Sequence, residues 1–559
     1  MSIKKYKPPL ITNFSQRQWP DKIITKSPSW CSVDLRDGNQ ALPDPMTPKQ
    51  KLEYFKLLCS IGFKEIEVGF PSASQDEFDF IRMLIEEDHI PEDVYIMGLT
   101  QMRPHLIEKT INSFKGCKKA IIHAYIAPSD LHMKQVFGLT KSELIETAIS
   151  STDQIRQLSE LLTDSDIRYE FSPEEFTDTS LDFSIDLCNK VYEAWGKASP
   201  SKPIIFNLPA TVERLLPNQY ADMIEVFSKK ISNRESIIIS LHTHNDQGMA
   251  VAATELGLMA GADRVEGTLF GHGERTGNVD LVVCINNYFA RGIETGIDLS
   301  NLPVIANKVE SLTGMPIYYR QPYSGAYAFT AFSGSHQDAI NKGMKKLNDA
   351  PKLFNQSWKV PYLHIDPMDI GRKYEKLIRI NSQSGKGGIA WVLEQDYDIE
   401  LPKNIQLELS KYVQIFSENV KREISSNEVY EIFINNFVNP PGNYELIGYW
   451  PRPNDEDPTF IHGEVHIKVN DVFHKINSDG NGPISAFVGA LRKVLDFEFI
   501  VENYHEQSVG KGADAKALAI VPLKTIKGKK IYGVGIDSNI DQAAVRAIVC
   551  CLNRLDLGK

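Results

Sequence analysis

From residue 30 to about residue 291, short apolar runs alternate with longer segments of helical periodicity. The runs lie at 30–37 (WCSVDLRD), 65–71 (EIEVGFP), 94–100 (VYIMGLT), 120–127 (AIIHAYIA), 168–174 (RYEFSPE), 203–210 (PIIFNLPA), 236–246 (SIIISLHTHND) and 264–271 (RVEGTLFG). Each is short and mostly apolar, which reads as a buried strand. A helical pattern follows each one. The stretch 139–162 is an example, and its Thr140 and Glu143 have the spacing of a capping box. Eight β-then-α units over about 260 residues predict an α/β fold, a (β/α)₈ TIM barrel. The alternative, a doubly wound open sheet, expects a GxGxxG turn after the first strand, where this chain has LRDGNQ.

Beyond about residue 298 the pattern becomes mostly helical, with Gly-rich joints, until about residue 418. Residues 439–458 (NPPGNYELIGYWPRPNDEDP) are rich in Pro, Gly and acids and read as a linker. An approximate repeat follows. Its first copy, 463–495, has a strand alternating Val465, Ile467 and Val469, a Gly-rich turn at 479–482, and a helix with apolar Ile484, Phe487, Val488, Leu491 and Leu495. Its second copy starts at Ile531, runs through IYGVGIDSN and enters a helix at 542–552. Two strand–turn–helix units predict a small α+β domain with an internal interface, a usual place for a small ligand. The expected division is an N-terminal arm at 1–29, a catalytic barrel at 30–305, helical linker subdomains over the active site at 306–438 and a C-terminal domain at 439–559.

Composition narrows the functional classes. The 559 residues carry a net charge of −11, which argues against nucleic acid or an anionic membrane as the main partner. Seven scattered cysteines without a CxxC read as reduced thiols of a cytoplasmic protein. No apolar run approaches the roughly 20 residues of a membrane span. The first twenty residues lack Asp and Glu but hold Pro8, Pro9 and Pro20, and read as an extended arm rather than a transit peptide.

A barrel places chemistry at the C-terminal ends of its strands. Those ends carry Arg36 and Asp37, then His123, Ser172 and Glu174, then Asn207 and Thr211, then His242 and His244, with Glu274 and Asn278 past the eighth run. His242 and His244 are two apart in a strand, so they share one face. Two imidazoles and the Asp37 carboxylate, with Asn278 as a possible fourth donor, suit a catalytic divalent ion: Mg²⁺, Mn²⁺ or Zn²⁺. An HxH pair alone reads first as two hydrogen-bonded strand-end residues; Asp37 on the same mouth reverses that preference in favour of the metal. Arg36 suits a substrate carboxylate, which Thr211 and His123 could also bond, and Glu174 could relay a proton. SGKGG at 384–388 is not a P-loop, and GHGERTG at 271–277 is not a dinucleotide fingerprint.

The motifs LRDGNQAL (35–42), NLPATVE (207–213), HTHNDQGMAVAAT (242–254), GHGERTGNVDL (271–281), FSGSHQDAINKG (332–343) and NSQSGKGG (381–388) resemble the α-isopropylmalate synthase family. GNGP at 480–483 and YGVGI at 532–536 resemble its regulatory domain, and DPMDIGRKYE at 366–375 with the overall length resembles its long form. The resemblance implies a metal-dependent Claisen condensation of acetyl-CoA with 3-methyl-2-oxobutanoate and thioester hydrolysis to 2-isopropylmalate and CoA, the first committed step of leucine biosynthesis. It implies Asp37, His242 and His244 as metal ligands with Asn278 at or beside the metal. Arg36, His123, Ser172 and Thr211 would hold the keto acid, and Glu174, His336 and Tyr362 would serve proton transfer. Without the resemblance His336 reads as a helix-cap residue and Tyr362 as a core aromatic. The family further implies a homodimer whose partner subunit supplies His336, activation by K⁺, and feedback inhibition by leucine near Gly482, Pro483, Ile484, Ala513 and Ala515. Homocitrate and citramalate synthases share the barrel motifs, and a non-catalytic amino-acid sensor is the alternative outside enzymes.

Overall fold

Eight parallel strands pair in chain order and close on themselves: β1 (Ser29–Ser32), β2 (Glu65–Gly69), β3 (Tyr95–Gln101), β4 (Lys119–Ile126), β5 (Asp166–Pro173), β6 (Ile204–Ala210), β7 (Ile237–Thr243) and β8 (Arg264–Gly267), with β8 hydrogen-bonded to β1. Each of the eight apolar runs overlaps one of these strands. The computed structural model describes residues 14–349, 358–374, 386–420, 424–438, 440–509, 515–526 and 528–557. Residues 1–13 of the expected arm, much of the 381–388 motif and Ala513 lie outside them. Two compact units result, Met1–Phe329 with His364–Tyr374, and Thr330–Leu363 with Glu375–Lys559.

Local chemistry sets the barrel helices. The helix Lys141–Ser159 begins with a full capping box, Thr140 taking the Glu143 N–H while Glu143 takes that of Thr140. The helix Pro48–Ile61 begins in the same way at Thr47 and Gln50 and ends at Gly62 in the left-handed region (φ 111°). The first strand is shorter than its apolar run. It stops at Ser32, and Asp34–Gly38 winds into one wide turn in which the Gly38 N–H reaches the Val33 carbonyl. Arg36 and Asp37 are therefore held on a helical turn rather than on the strand. The arm residues Arg17 and Trp19 both bond the buried Asp222 carboxylate on the helix Pro217–Lys230.

The second unit contains helices Gly334–Asp349, Lys386–Tyr397, Lys403–Val420 and Ser426–Phe437, then two sheets. The expected linker at 439–458 is not one: it holds β9 (Tyr444–Pro453), which pairs antiparallel with β10 (Ile461–Val469), itself paired with β11 (Val472–Gly480). Pro451 and Pro453 are tolerated because β9 is the edge of that sheet. The helix Pro483–Leu491 follows. The second copy has β12 (Phe499–Val501), β13 (His505–Val509), β14 (Lys516–Thr525) and β15 (Lys530–Asp537), then the helix Ile540–Leu557. Each copy is thus larger than the strand–turn–helix unit expected. Gly535 lets helix and sheet meet, since a Cβ there would fall 2.1 Å from the Ala543 carbonyl oxygen. Val465, Ile467, Phe487, Leu491, Val521 and Ile548 share one apolar core. Among the described residues, no helix is long and apolar enough to cross a membrane. All seven cysteines are free thiols.

Candidate active site and metal centre

Strand β7 carries His242 and ends at Thr243, and the chain continues straight into His244, so both rings enter the barrel mouth, with centroids 5.3 Å apart. Asp37 reaches the same point from the turn after β1. Its Oδ2 lies 3.4 Å from His242 Nε2 and 3.7 Å from His244 Nε2, and one donor atom from each of the three residues falls within 4.8 Å of the others. Atoms bound to a common ion at about 2.1 Å sit about 3–4 Å from one another. All three side chains are buried, and Asp37 Oδ2 makes no hydrogen bond. A buried carboxylate oxygen without a donor is costly, so the arrangement fits a cation there. Asn278 lies beside His244 through a backbone bridge; its amide nitrogen donates to the His272 carbonyl at 3.0 Å, and its Oδ1 is buried without a partner.

A chain of hydrogen bonds ties these residues to the barrel wall. His242 Nδ1 donates to Glu266 Oε2 at 2.8 Å, which leaves Nε2 to face Asp37. Asn207 donates to that Glu266 oxygen at 2.9 Å and to Ser172 Oγ at 3.0 Å. The Ser172 hydroxyl meets His123 Nε2 at 2.7 Å, and His123 Nδ1 donates to Glu67 at 2.8 Å. Arg36 closes the circuit, Nε donating to Glu67 at 2.5 Å and Nη1 to Asp37 Oδ1 at 2.7 Å. Glu67 and Glu266 were not among the residues picked from the sequence. Each is an acid in a fully buried strand, EIEVG and RVEG, and that is the signal available for them.

Charges within this circuit are strongly shifted. Burial would push the Asp37 carboxyl up, but Arg36 and the two imidazoles outweigh it and hold the group well below the usual carboxylate range. Burial likewise opposes a proton on His242, yet the carboxylates of Asp37 and Glu266 raise it to about 9. Burial and the neighbouring His242 lower His244 to about 4. A proton on His242 occupies the position for which a divalent cation competes, so the set combines an ionised oxygen donor with a neutral imidazole. Burial raises the Glu174 carboxyl, the direction that suits a group exchanging protons near neutrality.

The mouth encloses a cavity of about 280 Å³. Arg36, Asp37, His123, Ser172, Glu174, Thr211, His242 and His244, all anticipated from strand ends, line it. Phe70, Leu99, Tyr125 and Pro209 form an apolar wall, and Gln40, Glu274 and Arg275 stand at the rim; Gln40 donates to both Asp37 and Glu274. Beside Glu174, Glu175 adopts a left-handed backbone (φ 56°). Its N–H donates to Thr211 Oγ1 at 2.9 Å, and its carboxylate accepts from Ser129 and from His132 Nδ1. His336 and Tyr362 lie in the second unit, their rings stacked at 4.0 Å. Tyr362 is 64% exposed, not the core aromatic that its type alone suggests. Gly482, Pro483 and Ile484 form the start of the helix Pro483–Leu491, and Ala515 immediately precedes β14.

Comparison with known proteins covers nearly the whole chain. Residues 27–309 match an HMGL-like family model, 326–394 an alpha-isopropylmalate synthase, post-catalytic domain-like model, and 423–556 a LeuA allosteric (dimerisation) domain model. The chain is 44% identical to a 2-isopropylmalate synthase of Acetoanaerobium sticklandii, covering 100% of this chain and 98% of that one. It is 46% identical to that of Clostridium acetobutylicum, covering 97% of each, and 45% identical to that of Saccharomyces cerevisiae, covering 99% of this chain and 90% of the yeast protein.

Proposed function

The chain belongs to the 2-isopropylmalate synthase family, and from that premise we propose how its residues divide the work. It is an acyltransferase that condenses acetyl-CoA with 3-methyl-2-oxobutanoate and hydrolyses the thioester to give 2-isopropylmalate and CoA. The observation that carries the division of roles is the buried, unbonded Asp37 oxygen facing two imidazole nitrogens inside a polar cavity.

Asp37, His242 and His244 hold a divalent cation, Mg²⁺, Mn²⁺ or Zn²⁺, with Asn278 beside it. When bound, the ion supplies Lewis-acid polarisation of the ketone and stabilises the alkoxide oxygen that develops. Arg36 is clamped by Glu67 and Asp37 and turns its remaining nitrogen to the keto-acid carboxylate. His123, Ser172 and Thr211 hold the rest of the polar end. The apolar wall of Phe70, Leu99, Tyr125 and Pro209 receives the isopropyl group and excludes water from it. Glu174, with His336 and Tyr362, handles the methyl proton of acetyl-CoA and the proton taken up by the new hydroxyl; general acid–base groups of this kind contribute about 10²–10⁴-fold.

The LeuA domain match supports a homodimer and leucine as feedback inhibitor, bound near Gly482, Pro483, Ile484, Ala513 and Ala515. The cytoplasm is the proposed location. The deciding assay is CoA release from acetyl-CoA across a panel of 2-keto acids, with and without EDTA. Best turnover with 3-methyl-2-oxobutanoate, lost in EDTA and restored by a divalent ion, is expected. Best turnover with pyruvate or 2-oxoglutarate would replace the substrate, and full activity in EDTA would remove the metal.

A further inference from the structure

Beneath the barrel mouth lies a guanidinium completely shut off from solvent, that of Arg264 on β8. The β7–β8 register sets Ser240 against Arg264 and His242 against Glu266. Arg264 and Glu266 are two apart and share the inward face. Arg264 Nη1 donates to Glu266 Oε1 at 2.6 Å and to Ser240 Oγ at 2.8 Å, its Nε donates to Glu65 Oε2 at 2.5 Å, and its Nη2 lies 3.3 Å from Glu170 Oε2. Both oxygens of Glu266 are therefore committed. Oε1 belongs to Arg264, while Oε2 takes the His242 Nδ1 proton and the Asn207 amide.

The two candidate metal-binding imidazoles are supported unequally. His242 is braced from behind by a carboxylate that is itself pinned, whereas His244 Nδ1 is buried with no hydrogen-bond partner. A ligating imidazole offers an unprotonated nitrogen to the metal, and an acceptor on the other nitrogen fixes that tautomer and the orientation of the ring. A carboxylate held by a rigid two-pronged cation cannot swing away from that task. We propose that Arg264 is a positioning residue for the metal centre, acting through Glu266 on His242, so that His242 is the anchored ligand and His244 the adjustable one. The inference rests on the assignment of Asp37, His242 and His244 as metal ligands.

Mn²⁺ binding to the metal-free full-length chain, followed by calorimetry and by the Mn²⁺ electron paramagnetic resonance signal, tests it without any assay of activity. Glu266→Gln should weaken Mn²⁺ binding about 10–100-fold, the usual loss on removing an outer partner of a ligand. Arg264→Lys, which keeps the charge and loses the fork, should weaken it severalfold, and the same change made on top of Glu266→Gln should add nothing. Glu65→Gln removes another partner of Arg264 that does not touch His242; it should lower the melting temperature and leave Mn²⁺ affinity within about twofold. If Glu266→Gln folds poorly, Arg264→Lys read against Glu65→Gln carries the same test. Unchanged affinity in Arg264→Lys, or an equal loss with and without Glu266, would overturn the proposal. Failure of the ligand assignment itself looks different: the unaltered chain would not bind Mn²⁺, or Asp37→Ala would bind it as tightly.

Discussion

Two interiors in this chain are both deeply buried and chemically opposite. The barrel encloses Glu65, Glu67, Glu170, Glu266, Arg264 and His123, every one of them buried. The core shared by the two C-terminal repeats is built from Val465, Ile467, Phe487, Leu491, Val521, Ile548 and their neighbours, among them Tyr449, whose hydroxyl bonds the Pro483 carbonyl. Apolar burial stabilises by about 25 cal/mol per Å². Buried charge at best breaks even and requires every partner to be in place. The contrast separates two uses of burial: in the C-terminal core it supplies stability, and in the barrel it fixes the positions of charges that would wander in water.

Substitutions can sharpen or erase that distinction. The largest effect is expected at Asp37. Asp37→Ala should lower CoA release by on the order of 10²–10³-fold or more, the loss seen when a single transition-state charge partner is removed, while the circular-dichroism melting temperature holds. A collapse of the melting temperature alongside activity would make the site part of the stabilising core and end the contrast. Phe487→Ala should do the reverse, costing about 3–5 kcal/mol of stability by denaturant unfolding, the range for emptying a packed aromatic position. A cost under about 1 kcal/mol would mean that this core is loosely packed.

Third comes pH. Asp34, buried behind the site and bonded by Ser32, Tyr54 and the Leu269 N–H, is raised by burial to about 7 despite those bonds. The folded chain therefore holds this proton where the unfolded chain releases it. The stabilisation is complete below about pH 4 and fades as pH rises toward 7. Relative to Asp34→Asn, the unaltered chain should lose about 2–3 kcal/mol between pH 5 and 7.5. A difference that stays flat with pH would show that Asp34 is ionised throughout. The smallest effects should be the same in both units: Thr140→Ala and Ser425→Ala, each removing a capping box, should each cost about 1 kcal/mol by thermal melts. Unequal costs would mean that the units differ in their helices as well as in their interiors.

The barrel was legible because its strands are short apolar runs separated by helices with readable caps, and because the fold dictates which end of each strand bears chemistry. The two histidines followed from their spacing on one strand, and Asp37 from that rule. The rule was silent about Glu67, Glu266 and Arg264, which sit below the strand ends. Periodicity reports that such a residue faces inward but not which partner meets it across the barrel. The β9 strand was missed for a different reason. Pro451, Pro453 and Gly448 are turn residues by type, and only its place at a sheet edge makes them compatible with a strand. The stacking of His336 on Tyr362 joins positions 26 residues apart, beyond the reach of any local pattern.

Glu175 has a consequence for engineering. Barrel loops are commonly treated as exchangeable parts, one per strand. Here a single residue after β5, itself bent into a left-handed backbone, fastens to Ser129 and His132 after β4 and to Thr211 after β6. Those three loops are sewn together and would have to be grafted, shuffled or redesigned as one piece.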